Sequence, residues 1–293
     1  MSPPPVTSPR THPTSSPEAK AVSPPNGAQS AAPTSSTSSA PIRAAAGSPR
    51  LAACRWGLPR PFVRGHIWFL AQLFIQPELH ALGIGKELLR RSRAHGEQAG
   101  ARIFSVTSST SPSAQALYLR SGMFAFGIGY VMLGPVGGLQ RLPGPEGSLT
   151  RIDDLAPWQD AVAALDRDLF GAERRQDHAM YLRHERVLGI EAASFGLERR
   201  GELYGYGYVD ASGWVAPLAA REPQGQLPLL RLAGDWLAAR SVENGRMWVL
   251  SLNPTIMRAL LEGGWRIDQW TFLKATAPFG KFDRYHPSGG LLL

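Results

Sequence analysis

Leu73-Phe-Ile-Gln-Pro77-Glu-Leu-His80-Ala-Leu-Gly83-Ile-Gly85-Lys86-Glu-Leu88-Leu89 is the stretch on which the fold turns. An apolar run ends at Pro77, a short loop follows, and two closely spaced glycines open a segment with helical spacing. The pattern predicts a buried strand over 66–76 and a helix over 83–99 with Ile84, Leu88 and Leu89 on one side. The first turn of a helix leaves backbone N–H groups unpaired and carries partial positive charge. Glycines let an anion approach those groups closely. Lys86, Arg90 and Arg91 add charge to the same helix. An anion site of the size of a pyrophosphate is therefore expected. A P-loop would need Ser or Thr where Glu87 stands, and a dinucleotide fingerprint would need a third glycine where Leu88 stands.

Working outward, a short strand is predicted over 102–106, a helix over 114–119 stopping at Gly122, and a strand over 124–133. The second marked stretch is Ser111-Pro-Ser-Ala-Gln-Ala-Leu-Tyr118-Leu-Arg-Ser-Gly122-Met123-Phe. Together the two stretches resemble the GNAT N-acetyltransferase family. Its motif, Gln/Arg-x-x-Gly-x-Gly/Ala followed by paired leucines, reads here His80-Ala-Leu-Gly83-Ile-Gly85 and Leu88-Leu89. His80 replaces the usual Gln or Arg; Ser111 stands at an Asn place and Met123 at a Phe place. The resemblance covers roughly a quarter of the chain.

What the resemblance implies can be stated residue by residue. Acetyl-CoA is the co-substrate and no metal takes part. The diphosphate lies against His80, Leu82, Gly83, Ile84, Gly85 and Lys86, with Ser111 nearby. Pantetheine lies in a gap between splayed strands, bonded to backbone at Leu73, Phe74 and Ile75. A primary amine attacks the thioester directly, and Tyr118 protonates the leaving thiolate, a role suited to a positioned phenol. The acceptor is a small-molecule or peptide amine that the sequence does not identify. A non-catalytic CoA-binding or interaction protein of the same fold is the alternative.

Beyond a Pro/Gly linker at 139–148, a second unit over 149–276 repeats the strand and helix order. Gly205–Val209 and Trp214–Leu218 look like its central strands, and Met247–Asn253 like a later one. It has no recognisable phosphate loop, since 221–227 offers only Gly225, and Leu260 stands at the tyrosine place. The expected architecture is mixed α/β (α+β): two GNAT-like lobes at 61–138 and 149–276, each a mixed central sheet flanked by helices. The second lobe is degenerate, and 277–293 forms a C-terminal tail. The first lobe lacks the elements that usually precede the motif strand, and an incomplete lobe leaves room for a homodimer.

Composition bounds the rest. Of 25 prolines, 11 fall in the first 50 residues, and residues 1–60 read as a disordered Pro/Ser/Ala-rich segment. The net charge of +8 suits an anionic partner, but the arginines are scattered, so nucleic acid is not expected. There is one cysteine, Cys54, and no apolar run long enough for a signal or a membrane span, which predicts a cytoplasmic protein away from membranes. Asp177, His178 and His184 have helical spacing without a third ligand and read as surface polar residues; Trp214, Trp248, Trp265 and Trp270 read as core.

Overall fold

Strand β1 (Gly57–Arg64) turns at Gly65 into β2 (Ile67–Ile75), the strand expected from the apolar run. In the computed structural model, residues 57–80, 82–183 and 189–290 are described. The disorder expected over 1–60 therefore falls mostly outside the described residues, as does His184. Its last four residues do not fit that reading, because 57–60 belong to β1. Pro59 and Pro61 lie within this strand. They are tolerated because β1 lies at the sheet edge, pairing only with β2, where a missing N–H costs no ladder bond.

The remaining elements follow the expected order. Helix α1 (Ile84–Gln98) leads to β3 (Ile103–Ser108), helix α2 (Pro112–Arg120), strand β4 (Phe124–Pro135) and the short helix α3 (Val136–Gln140). Then come β5 (Leu149–Ile152), α4 (Gln159–Leu169), α5 (Arg175–Tyr181), β6 (Ala192–Arg199), β7 (Glu202–Asp210) and β8 (Val215–Ala220). Helix α6 (Gln226–Ala238), β9 (Asn244–Leu250), α7 (Pro254–Glu262), β10 (Arg266–Ala275) and β11 (Tyr285–His286) follow among the described residues. The stretch assigned to a linker from 139 begins inside α3, where Leu139 is buried and packs against α6.

The two lobes are not separate sheets. One sheet runs β1-β2-β3-β10-β4-β9 and the other β11-β8-β7-β6-β5. Strand β10, from the second half of the sequence, lies between β3 and β4, antiparallel to both. In exchange β4, from the first half, runs antiparallel to β9. Each half thus lends its last long strand to the other, and the units 61–138 and 149–276 interlock. The repeat β3-α2-β4 against β9-α7-β10 is the pair of segments whose similarity shows in the sequence.

Alternation along β2 explains the layers. Trp68 and Leu70 join Leu89, Phe104, Val106, Tyr118 and Met123 beneath α1 and α2. Ile67 and Phe69 face the other way, into a cluster that includes Phe170, Ala172, Phe279 and Phe282 from the second half. Here lies the cover that the first lobe seemed to lack: the segment after α4 and the chain after β10 pack on the face left bare. Each such phenylalanine contributes about 1.5–3 kcal/mol when fully buried. A third cluster fills the second half beneath α6 and α7, with Leu229, Leu230, Ile256, Leu260 and Trp265.

Candidate functional site

The site begins with a break in pairing. β2 and β3 run parallel and pair at four positions, from Ile67↔Ile103 to Leu70↔Val106. β2 then continues to Ile75 and β3 to Ser108 without pairing further, so a wedge opens at Ala71 and Thr107. A bulge sits at the same level. Pro61 pairs with Leu70 and Arg60 with Gln72, which leaves Ala71 without a counterpart. The extra residue reverses the alternation. Ala71 faces the same way as Ile67 and Phe69, whereas Leu73 joins Trp68 and Leu70. The sequence carries no turn or glycine signal for this bulge, and no reading of residue types would have found it.

Leu73, Phe74 and Ile75 pair with Pro59, Leu58 and Gly57 on one edge only, so their other edge faces the wedge. Phe74 is 67 % exposed. The His80 ring lies 3.1 Å from the Ile75 carbonyl through Nε2 and closes the loop after the strand. The wedge thus ends at the first turn of α1. Gly83 is the N-cap in the left-handed conformation, φ 76°, and no side chain caps it. The first helical bond runs from the Glu87 N–H to the Gly83 carbonyl at 3.1 Å, so the amides of Ile84, Gly85 and Lys86 precede it. Leu82 beside them is 67 % exposed. Gly85 lies within van der Waals reach of Ile75 and Leu117 for any added methyl, which ties together the end of β2, the start of α1 and helix α2.

Charge around this turn is divided. Glu87 accepts from Arg90 at 2.8 and 2.7 Å and from Arg91 at 2.7 Å. These bonds hold its carboxyl down to about 2. Lys86 is exposed and stands outside the cluster. Ser111 is the N-cap of α2; its hydroxyl meets Ser113 at 3.0 Å rather than capping the helix. Tyr118, 6 % exposed, belongs to the cluster under the last paired residues Leu70 and Val106. Burial pushes its phenol up to about 12, so near neutrality it is a proton donor and not a base. Gly122, φ 77°, ends this helix as expected.

Two sequence readings are corrected. Asp177 and His178 are buried rather than superficial. His178 lies 2.7 Å from Asp166 and 2.9 Å from the Tyr208 hydroxyl, and Tyr206 also donates to Asp166. Asp177 accepts from Arg64 at 3.0 and 2.5 Å and from the fully buried Arg174 at 3.2 Å, joining β1 to α5. Apart from Arg174, their partners lie on other elements, Arg64 on β1, Asp166 on α4 and Tyr208 on β7, beyond any helical-spacing argument. Trp248 and Trp265 are core, but Trp270 is 54 % exposed on β10.

The site is thus a backbone-edged wedge in a mixed α/β fold, leading to an uncapped helix start. Residues 33–123 match the family model described as the Acetyltransferase (GNAT) family. Over that stretch the chain is similar to the GNAT acetyltransferase family. The match begins within the segment read as disordered, and 33–56 lie outside the described residues. No curated protein matches the chain by sequence.

Among solved structures, the chain is similar to a putative acetyltransferase from Pyrococcus horikoshii, with a TM-score of 0.60 at 15 % identity, over 81 % of this chain and 75 % of that one. It is also similar to a GCN5-related glucosamine N-acetyltransferase region of a fungal multi-domain GH3 β-N-acetylglucosaminidase, with a TM-score of 0.52 at 12 % identity, over 75 % of this chain and 31 % of that one. A tandem GNAT protein from the clavulanic acid biosynthesis pathway aligns with a TM-score of 0.47 at 17 % identity, over 73 % of this chain and 76 % of that one. Likeness at these identities concerns the fold.

Proposed function

We propose that the first wedge binds acetyl-CoA and that the protein transfers its acetyl group to a primary amine, of a small molecule or a peptide, by direct attack in the cytoplasm. The observation that carries this reading is the continuity of one surface. The free edge of Leu73–Ile75 runs straight into the uncapped helix start at Gly83. An extended arm ending in a diphosphate fits such a surface. When bound, acetyl-CoA supplies the activated acetyl group.

The protein's own groups do the remainder. The amides of Ile84, Gly85 and Lys86 bind the diphosphate, aided by the helix dipole and the Lys86 charge. The backbone of Leu73, Phe74 and Ile75 aligns the arm, while Leu82, His80 and Ser111 border it. Tyr118, protonated near neutrality, donates its proton to the sulfur as the C–S bond breaks and the amine forms its C–N bond. The amine nitrogen loses one proton to solvent as it becomes an amide, and the phenol regains one from solvent.

Incubation with acetyl-CoA and a panel of amines, followed by measurement of free thiol, tests the reading. Thiol release dependent on an amine is expected; release no faster than without protein, across alkyl, aryl, polyamine and peptide amines, would contradict it. A second reading, binding of CoA without transfer, draws on Gly290, where an added methyl would lie 3.1 Å from Thr107 Cγ2 at the apex of the wedge. In that case calorimetry shows CoA binding and the thiol assay stays silent.

A further inference from the structure

The second half contains the counterpart of the first wedge. β8 and β9 meet only at a parallel bridge, Trp214↔Arg246, and then diverge. β8 leads into α6 as β2 leads into α1. The edge of β8 that faces the gap is nevertheless not free. β11 pairs with it antiparallel, Tyr285 opposite Ala219 and His286 opposite Leu218. The Ala220 N–H donates to the Arg284 carbonyl at 3.0 Å. At the helix end, the Gln226 amide, wholly buried, donates to the Asp283 carbonyl at 2.7 Å and accepts from Asn253 at 2.8 Å. At the apex, the Trp214 ring N–H donates to the Ser288 carbonyl at 2.9 Å.

The backbone of residues 283–288 therefore runs from the start of α6, along the open edge of β8, to the apex of the gap. In the first half that path leads from the start of α1, along Ile75–Leu73, to Ala71. We infer that the second wedge is a peptide site, filled in cis by the chain's own C-terminal segment, and that it accepts an extended strand instead of a nucleotide-bearing thioester arm. The inference rests on the reading of the first wedge for the comparison, but not for the occupancy of the second.

The chemistry of the second wedge fits a peptide better than a diphosphate. Main-chain donors and acceptors of β8 are matched by those of another main chain, as in strand addition. The side chains of the segment alternate between layers. Tyr285 enters the cluster with Phe170 and Phe282, with ring centroids 5.5 and 6.1 Å away. His286, fully buried, lies opposite Leu218 of the cluster beneath α6. Where a phosphate would sit, Glu222 accepts from the Tyr204 hydroxyl at 3.0 Å, placing a carboxylate at the loop. A methyl on Gly225, the helix-start glycine, would lie 2.5 Å from the Tyr204 ring, so that glycine admits Tyr204 rather than an anion.

Hydrogen–deuterium exchange of the full chain, free and saturated with CoA, tests the inference. In the free protein, the amides of Leu218–Ala220 and of Tyr285–His286 are expected to exchange at least about 100-fold more slowly than unprotected amides. With CoA, protection should rise at 82–88 and 71–75 and stay unchanged at 218–226 and 283–288. Unprotected exchange at Tyr285–His286 in the free protein would overturn the inference. So would loss of protection there together with a gain at 218–226 when CoA is added. Absence of any CoA effect, with the tail still protected, would instead remove the cofactor reading of the first wedge and leave the peptide site standing.

Discussion

The first and second wedges share a plan and differ in what their main chains still offer. In the first, β2 has a free edge past Leu70 and α1 begins at an uncapped, left-handed Gly83. In the second, β11 covers the edge of β8 and a buried Gln226 holds the helix start to the tail. Asn253 caps α7 through Ile256 N–H at 3.1 Å, whereas Ser111 leaves α2 without a side-chain cap. Leu260 is wholly buried at the place where Tyr118 stands in the first half. The lesson is physical: a strand edge that leaves its partner must be satisfied in some way, and here one copy keeps it open while the other covers it with its own chain.

The comparison can be broken most severely at Tyr118. Tyr118→Phe keeps the ring in its cluster and removes the proton donor. Turnover should fall by about 100-fold or more, the usual worth of a positioned acid, while CoA affinity changes little. The pH profile sharpens the point. With the phenol held up to about 12, its proton is present throughout the neutral range. Stopped-assay rates in the wild type should show no loss from this group between pH 7 and roughly 10. A large loss of CoA binding in the variant would make Tyr118 a packing residue instead.

Next in size is the support that the second half gives the first. Asp177 is buried and holds Arg64 of β1 and Arg174 together. Asp177→Ala leaves both guanidiniums without it and should cost about 3–5 kcal/mol by urea unfolding. Because β10 and β4 are exchanged between the halves, loss should appear as one earlier transition rather than two. A biphasic curve with one half unchanged would show that the halves are energetically separate.

The smallest expected effect concerns the charges on α1. Lys86→Ala should weaken CoA binding about three- to tenfold at low salt, and the difference should shrink as salt rises. Arg90→Ala should change it less, since Arg90 is engaged with Glu87. Equal losses from both changes, read by calorimetry, would mean that the ion pairs on this helix rearrange around the ligand.

Much of this was legible in the sequence because it is local. The apolar run into Pro77, the Gly83–Gly85 pair and the Gly122 stop place β2, α1 and α2 within one or two residues of their observed bounds. What stayed hidden is set by long-range pairing. The exchange of β4 and β10, the bulge at Ala71, the burial of Asp177 and His178 and the use of the tail as a strand depend on partners far along the chain. A tail of Phe279, Phe282 and Tyr285 announces an apolar end but not the edge it will meet. β1 was missed because its first four residues fell within the segment read as disordered on composition, and its place at the sheet edge depends on pairing with β2.

Calorimetric titration of acetyl-CoA into wild type, Gly83→Val and Gly100→Val addresses the central claim most directly. Both glycines have positive φ, 76° and 86°, and both have open space for a side chain. Each variant therefore carries a similar strain of roughly 1–2 kcal/mol, but only Gly83 borders the uncapped amides at the wedge. The account predicts that Gly83→Val lowers affinity at least about tenfold with the fold retained by circular dichroism, and that Gly100→Val binds as wild type does. Wild-type affinity in Gly83→Val would contradict it.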